Sequence, residues 1–134
     1  MSKRTYTYNI STDNREQFID ITEIIRHTID ESGVKEGIIT VFCPHTTAGI
    51  TINENADPDV QRDMLVGLDK AFPIDGDYRH FEGNSHAHLK ASALGSSCTI
   101  ILSGARPILG TWQSVYFCEF DGPRNRKVVI NISQ

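Results

Sequence analysis

The sequence predicts an α+β fold, with largely antiparallel β-sheets and two or three short helices. About seven short segments rich in β-branched and aromatic residues are separated by turn residues, as strands are. Segments with apolar residues at helical spacing lie between some of them. The connections between successive strands look like hairpins, which favours antiparallel pairing.

Length and composition narrow the class of protein. The 134 residues suit one domain, residues 1–134, and 39% hydrophobic with 22% charged residues excludes a disordered chain. A formal net charge of -4 argues against non-specific nucleic-acid binding, which needs a basic face. No apolar run is long enough to cross a membrane and no signal peptide is evident, so we expect a soluble, cytoplasmic protein.

The first third of the chain predicts a strand, an ambiguous segment and a helix. Residues 5–10 alternate between apolar and polar, which is typical of a half-buried strand. Residues 17–22 fit a short returning strand, although Asp13 and Glu16 could form a capping box that begins a long helix. We favour the strand, followed by a helix over about 22–32.

Helix ends are indicated by their capping residues. In the first helix Thr22 is the expected N-cap, and Gly33 is expected to close the helix in the left-handed conformation. In a second helix, over about 58–72, Asp57 is the expected cap and Pro58 the first helical residue.

Two strands flank the first histidine of interest. Residues 37–43 form a nearly continuous β-branched run, which predicts a central strand buried on both faces. Pro44 ends it, so His45 follows a strand end, where side chains can point into a cleft. Residues 50–53 predict the next strand, which ends at Glu54.

The second half of the chain begins with a loop. Residues 73–84 have no clear period, and a loop of this length usually has a function. The pattern after it predicts a short helix at 89–94 and strands at 99–102, 115–120 and 127–132.

Three histidines form the strongest candidate site. Neutral imidazoles from His45, His86 and His88 could hold a zinc-like divalent cation, or could act as acid and base. The two rings of the His-x-His pair lie on one side only if that segment is extended, and they diverge if it is helical. His80 is an alternative third histidine.

Other polar residues could complete such a site. Glu54 could be a general base or a partner of an imidazole, and Gln113 could orient a substrate. Lys90 and Arg124, together with the hydroxyls near His45, suit a phosphate or another anion. Cys43 could be a nucleophile because it lies two residues before His45, but its apolar surroundings favour a buried, inert thiol.

Five motifs, taken together and in order, resemble the YjbQ-like family over essentially the whole chain: residues 45–48, 53–58, 83–90, 110–113 and 119–124. The resemblance implies an α+β fold and a homo-oligomer, a trimer or a hexamer. Some members of that family are described as secondary thiamine-phosphate synthases.

The resemblance and the residues together suggest an enzyme with a histidine-lined pocket for a phosphorylated or anionic small molecule. The expected catalytic residues are His45, Glu54 and His88. The expected substrate-binding residues are Asn84, Lys90, Gln113 and Arg124, and the metal set is His45, His86 and His88. The alternative is a binding or regulatory module that holds a phosphorylated metabolite without turning it over.

Overall fold

Residues 4–134 form eight strands and three helices. The structure, a computed structural model, describes residues 4–134. The strands are β1 (Thr5–Ser11), β2 (Gln17–Asp20), β3 (Gly37–Phe42), β4 (Ala48–Glu54), β5 (Ser97–Ser103), β6 (Arg106–Pro107), β7 (Gln113–Glu119) and β8 (Asn125–Ser133). The helices are α1 (Thr22–Ser32), α2 (Pro58–Ala71) and α3 (Ser85–Leu94).

The strands form two sheets in which every paired strand is antiparallel. One sheet has five strands in the order β1-β8-β3-β5-β6, and the other has three in the order β2-β7-β4. The predicted α+β class with largely antiparallel sheets is therefore confirmed. The ambiguous segment is strand β2, which pairs with β7 from Gln17 opposite Glu119 to Asp20 opposite Tyr116.

The main core lies between the two sheets and beneath α1. It joins Ile39 and Ile130 of the five-stranded sheet to Phe117 of the three-stranded sheet and to Ile25 and Ile29 of the helix. Their i, i+4 spacing places the two helix residues on one face.

A smaller core covers the opposite face of β7. Tyr116 and Cys118 pack there with Ala87 and Ala91 of α3, and Leu65 of α2 packs against them. Successive residues of a strand face opposite sides, so β7 is buried on both faces.

The predicted burial of residues 37–43 on both faces is wrong for the strand β3 that they form. Its alternate residues Ile39 and Val41 are fully buried, but Ile38 is 49% exposed and Phe42 is 42% exposed. Helices α2 and α3 pack on the three-stranded sheet in the smaller core, whereas among residues 4–134 no such core forms on the outer face of the five-stranded sheet.

The capping residues of α1 and α2 follow the predictions with one exception. Gly33 has a φ of 69° and its amide donates to the carbonyl of Ile29, and the Asp57 side chain accepts from the amide of Asp59. Thr22 is not the N-cap of α1, because its hydroxyl accepts a hydrogen bond from the amide of Val115. Across residues 4–134, no helix combines the length and the apolar character that a membrane crossing requires.

Candidate functional site

His45 lies in the loop that joins β3 to β4, and the backbone of β8 fixes its ring. The amide of Lys127 donates to Nε2 of His45 at 2.9 Å. A neutral imidazole that accepts through one nitrogen carries its proton on the other, so Nδ1 is the donor. Burial lowers the pKa of His45, and the nearby positive charge of Arg126 lowers it further, which keeps the ring neutral.

His86 and His88 diverge because their segment is helical. Helix α3 begins at Ser85, four residues before the predicted start, so the His-x-His pair is inside it. Two positions apart on an α-helix means roughly 200° around its axis. His86 is 3% exposed and faces the interior, whereas His88 is half-buried and lines an open cavity.

Two hollows share His45, Thr46 and His88 as wall residues, and we call them the histidine cavities. The first has a volume of about 480 Å³ and continues along α3 past Ala91 and Ser92. The second has a volume of about 440 Å³ and reaches the polar residues Asn84, Asp121, Arg124 and Arg126. The structure therefore brings four of the predicted site residues together: His45, Asn84, His88 and Arg124.

His80 joins this group from the loop before α3. It lines the second histidine cavity, and the centroid of its ring is 5.7 Å from that of His88, edge to face. The side chain of Glu82 lies 3.6 Å from His80 Nε2. Of the two alternatives for a third histidine, His80 is the one beside the other two.

Asn84 holds an acceptor with no partner among residues 4–134. Its Nδ2 donates to Oδ2 of Asp121 at 2.9 Å, and its buried Oδ1 has no hydrogen bond. The contact with a carboxylate fixes the orientation of the amide, because the reverse orientation would place two oxygens together. A ligand with an N–H or O–H group could satisfy this oxygen.

Lys90 and His86 form a separate, buried charge cluster, where the sequence predicted substrate and metal ligands. Lys90 is fully buried, and its Nζ lies 2.9 Å from both Glu16 Oε2 and His86 Nδ1 and also contacts Asp69 Oδ1. These three acceptors match the three donors of an ammonium group. Burial lowers the pKa of His86, and the charge of Lys90 adds to the effect.

Glu54 and Gln113 lie in a third region, apart from both the histidine cavities and the buried cluster around Lys90. They line a hollow of about 360 Å³ with Asn53 and Trp112, and none of the residues that line it belongs to the histidine cavities. The side-chain oxygen of Gln113 accepts from the amide of Gly110 at 2.8 Å. Within the described chain, Glu54 is therefore not placed to serve the histidines as a base.

The predicted metal set is not gathered in one place. Among residues 4–134, no three His, Cys, Asp or Glu side chains are grouped as a metal ion requires. His86 contacts Lys90, and Nε2 of His45 already accepts from a backbone amide. A metal ligand needs a free lone pair, which the neutral His45 ring does not have in this arrangement.

Arg126 and Glu119 had no role in the sequence-based prediction. Arg126 lines the second histidine cavity, and Glu119 pairs with it from β7. The signal was available in the alternation of β8. Arg126 has the same parity as Val128 and Ile130, which face the core, and a charged residue on that face must have a partner.

Cys43 is an inert thiol of the core. It is 1% exposed, and burial raises its pKa to about 11. The thiolate is the nucleophilic form, so this cysteine is not activated at neutral pH.

Comparisons with known proteins agree on one family. A family model described as UPF0047 protein YjbQ-like matches residues 6–134. The UPF0047 protein MJ1081 of Methanocaldococcus jannaschii is 50% identical, with 97% of this chain and 94% of that protein covered. The UPF0047 protein YugU of Bacillus subtilis is also 50% identical, with 94% and 96% covered. A crystal structure of an uncharacterized conserved protein of the YjbQ/UPF0047 family from Clostridium acetobutylicum is 62% identical, with 96% and 99% covered and a TM-score of 0.94.

Proposed function

The chain belongs to the UPF0047 YjbQ-like family, and we propose that it is an enzyme acting on a phosphorylated or other anionic small molecule in the histidine cavities. One observation carries the proposal. His45 and His88, from a strand-end loop and from a helix, line the same two hollows. Paired imidazoles in a cavity are suited to general acid and base catalysis near neutral pH.

The residues around the cavities have complementary roles in this proposal. His45 donates its Nδ1–H to an anionic oxygen of the ligand, since Nε2 is held by the Lys127 amide. His88 acts as the general acid or base that exchanges a proton with the ligand. The partly exposed guanidinium of Arg124 adds positive charge at the edge of the second histidine cavity. Oδ1 of Asn84, which has no hydrogen bond from residues 4–134, accepts from an N–H or O–H of the same ligand.

Thiamine-phosphate formation is the reaction to test first, because some members of the family are described with this activity. Purified protein would be incubated with hydroxymethylpyrimidine pyrophosphate and thiazole phosphate, and product would be followed by chromatography. We expect product with the wild type and its collapse in His88→Ala. His27→Ala is the matched control, because His27 lies on α1 with its side chain 62% exposed.

Thermal shifts with the same compounds separate catalysis from binding. Stabilisation by phosphate compounds without product after prolonged incubation would favour the alternative, a module that binds a phosphorylated metabolite. Neither stabilisation nor product would overturn both versions. Product formed at an unchanged rate by His88→Ala would remove His88 from the mechanism.

A divalent metal remains a separate prediction from the sequence. Elemental analysis after loading with zinc tests it directly. One ion per chain that is lost in His88→Ala would support it, whereas substoichiometric metal would count against it. The donor set described above favours an anion over a cation as the occupant.

Assembly into a homo-oligomer is part of the proposal. The outer face of the five-stranded sheet exposes Ile38 and Ile101, which are directly paired across β3 and β5, and also Phe42. A contiguous exposed apolar patch is typical of an interface. Light scattering should give a multiple of the 15.0 kDa chain mass, and a monomeric mass would contradict the prediction.

A further inference from the structure

Arg126 is a buried cation in the wall of the second histidine cavity. It is 6% exposed, and its Nε donates to Oε1 of Glu119 at 2.8 Å while Nη2 reaches Oε2 of the same carboxylate. Nη2 also donates to the hydroxyl of Thr47 at 2.8 Å. No hydrogen bond within residues 4–134 uses Nη1, and Arg126 is a wall residue of the second histidine cavity.

Glu119 is held as firmly as the arginine that it binds. It is fully buried, and it also accepts from the hydroxyl of Thr12 at 2.8 Å and from the amide of Asp121 at 3.0 Å. Burial opposes its ionisation, but the hydrogen bonds from Arg126, Asp121 and Thr12 outweigh burial and lower its pKa, so it is ionised at neutral pH. The guanidinium plane is therefore fixed before any ligand arrives.

The setting makes this guanidinium effective for an anion. A charge in a poorly solvated wall acts more strongly on a neighbour than an exposed charge does. Two carboxylates also line the cavity, but Asp121 is engaged by Arg124 and Asn84, and Glu82 lies near His80. Neither carboxylate contacts Arg126.

We propose that Arg126 is the oxyanion-binding residue of the histidine cavities, and that it contacts the ligand through Nη1. The proposal deepens the proposed function, on which it rests, by assigning the anionic group of the ligand to a particular atom. The ligand class is a phosphate or a carboxylate, because both present oxygens that a guanidinium N–H can reach.

A purely structural arginine would behave differently, and this difference provides the test. If Arg126 has only the structural role of holding Glu119 and Thr47, replacing Arg126 and replacing Glu119 should both weaken anion binding, because each change damages the fold. If Arg126 binds the anion, removal of the Glu119 charge leaves the guanidinium uncompensated and should strengthen binding. The two variants should then change affinity in opposite directions.

The experiment measures binding of inorganic phosphate by calorimetry, with acetate as the carboxylate probe, to wild type, Arg126→Lys and Glu119→Gln. Lysine keeps the positive charge but lacks the planar guanidinium that donates several hydrogen bonds in a fixed geometry. We expect the phosphate dissociation constant to rise at least tenfold in Arg126→Lys and to fall in Glu119→Gln. His27→Ala should bind as the wild type does. The stronger of the two probes identifies which oxyanion the cavity takes.

Equal affinity in Arg126→Lys and wild type would overturn the inference, as would weakening in both variants. If circular dichroism shows that a variant is unfolded, a titration of the wild-type protein followed by NMR tests the inference instead. The Nε–H resonance of Arg126 should shift on titration with phosphate, and an unmoved resonance at saturation contradicts the proposal. Loss of binding in His88→Ala together with normal binding in Arg126→Lys would leave the proposed function standing and remove Arg126 from it.

Discussion

Replacement of Lys90 by methionine should destabilise the fold strongly. Methionine fills a similar volume, so the main change is the loss of the buried charge from its three acceptors. Removing one member of a buried ion pair costs about 3–5 kcal/mol, because its partner stays buried and uncompensated. The side chain of Glu16 is 11% exposed and His86 is 3% exposed, so neither can rehydrate.

The third acceptor reduces the expected loss. Asp69 has a side chain that is 43% exposed, so water can replace its contact with Lys90, and its share is small. We therefore expect the free energy of unfolding to fall by about 3 kcal/mol, the lower end of the range for buried pairs. The assay is urea denaturation at pH 7, followed by far-UV circular dichroism.

The matched control is Lys70→Met. Lys70 lies in the last turn of α2 and is exposed, and it should lose less than about 0.5 kcal/mol. A loss below about 1 kcal/mol in Lys90→Met would refute the reasoning. It would mean that the cost of burying the charges cancels their attraction, or that Glu16 and His86 find other partners.

Two further predictions concern pH and close packing. The pKa values of His86 and His45 are lowered from 6.5 in the fold. The stability that depends on these two rings being neutral is therefore fully present above pH 6.5 and is lost as the pH falls through their folded pKa values. Unfolding midpoints in urea should fall as pH drops below 6.5, and a flat profile from pH 7.5 to 5 would contradict this. Gly49→Ala should destabilise, since its Cβ would meet the carbonyl oxygen of Gly95 at 2.7 Å, whereas the open site at Gly67 in α2 should gain about 0.5–1 kcal/mol from alanine. If the melting temperatures of Gly49→Ala and Gly67→Ala change in the same direction, the close contact between residue 49 and the Gly95 carbonyl does not determine stability at this position.

The periodicity of the sequence predicted most of the fold, because a strand or helix with one buried face shows its period directly. It failed for β3, whose continuous apolar run resembles a strand covered on both sides. A run of this kind does not show whether its second face is covered. Ile38 and Phe42 have no such cover within the described chain.

The site was harder to predict, because spacing along the chain does not determine the direction of a side chain. The His-x-His pair diverges because its segment is helical, and only the earlier start of α3 decides this. Lys90 was expected to bind substrate, but it lies four residues after His86 and therefore meets it on the buried face of the same helix. The alternation of β8 could have identified Arg126.

Buried ion pairs anchor both the helix and the loop that form the walls of the histidine cavities, and this distinguishes these cavities from the hollow at Glu54. Lys90 ties α3, and with it His88, to the β1–β2 connection and to α2. Arg126 ties the loop that carries His45 to β7 through Thr47 and Glu119. Buried ion pairs are weak contributors to net stability, but they can fix the orientation of what they join. Trp112 and Gln113 are exposed, and no ion pair within residues 4–134 involves the residues that line their hollow. A site whose chemistry requires fixed imidazoles is therefore better placed between the two anchored walls.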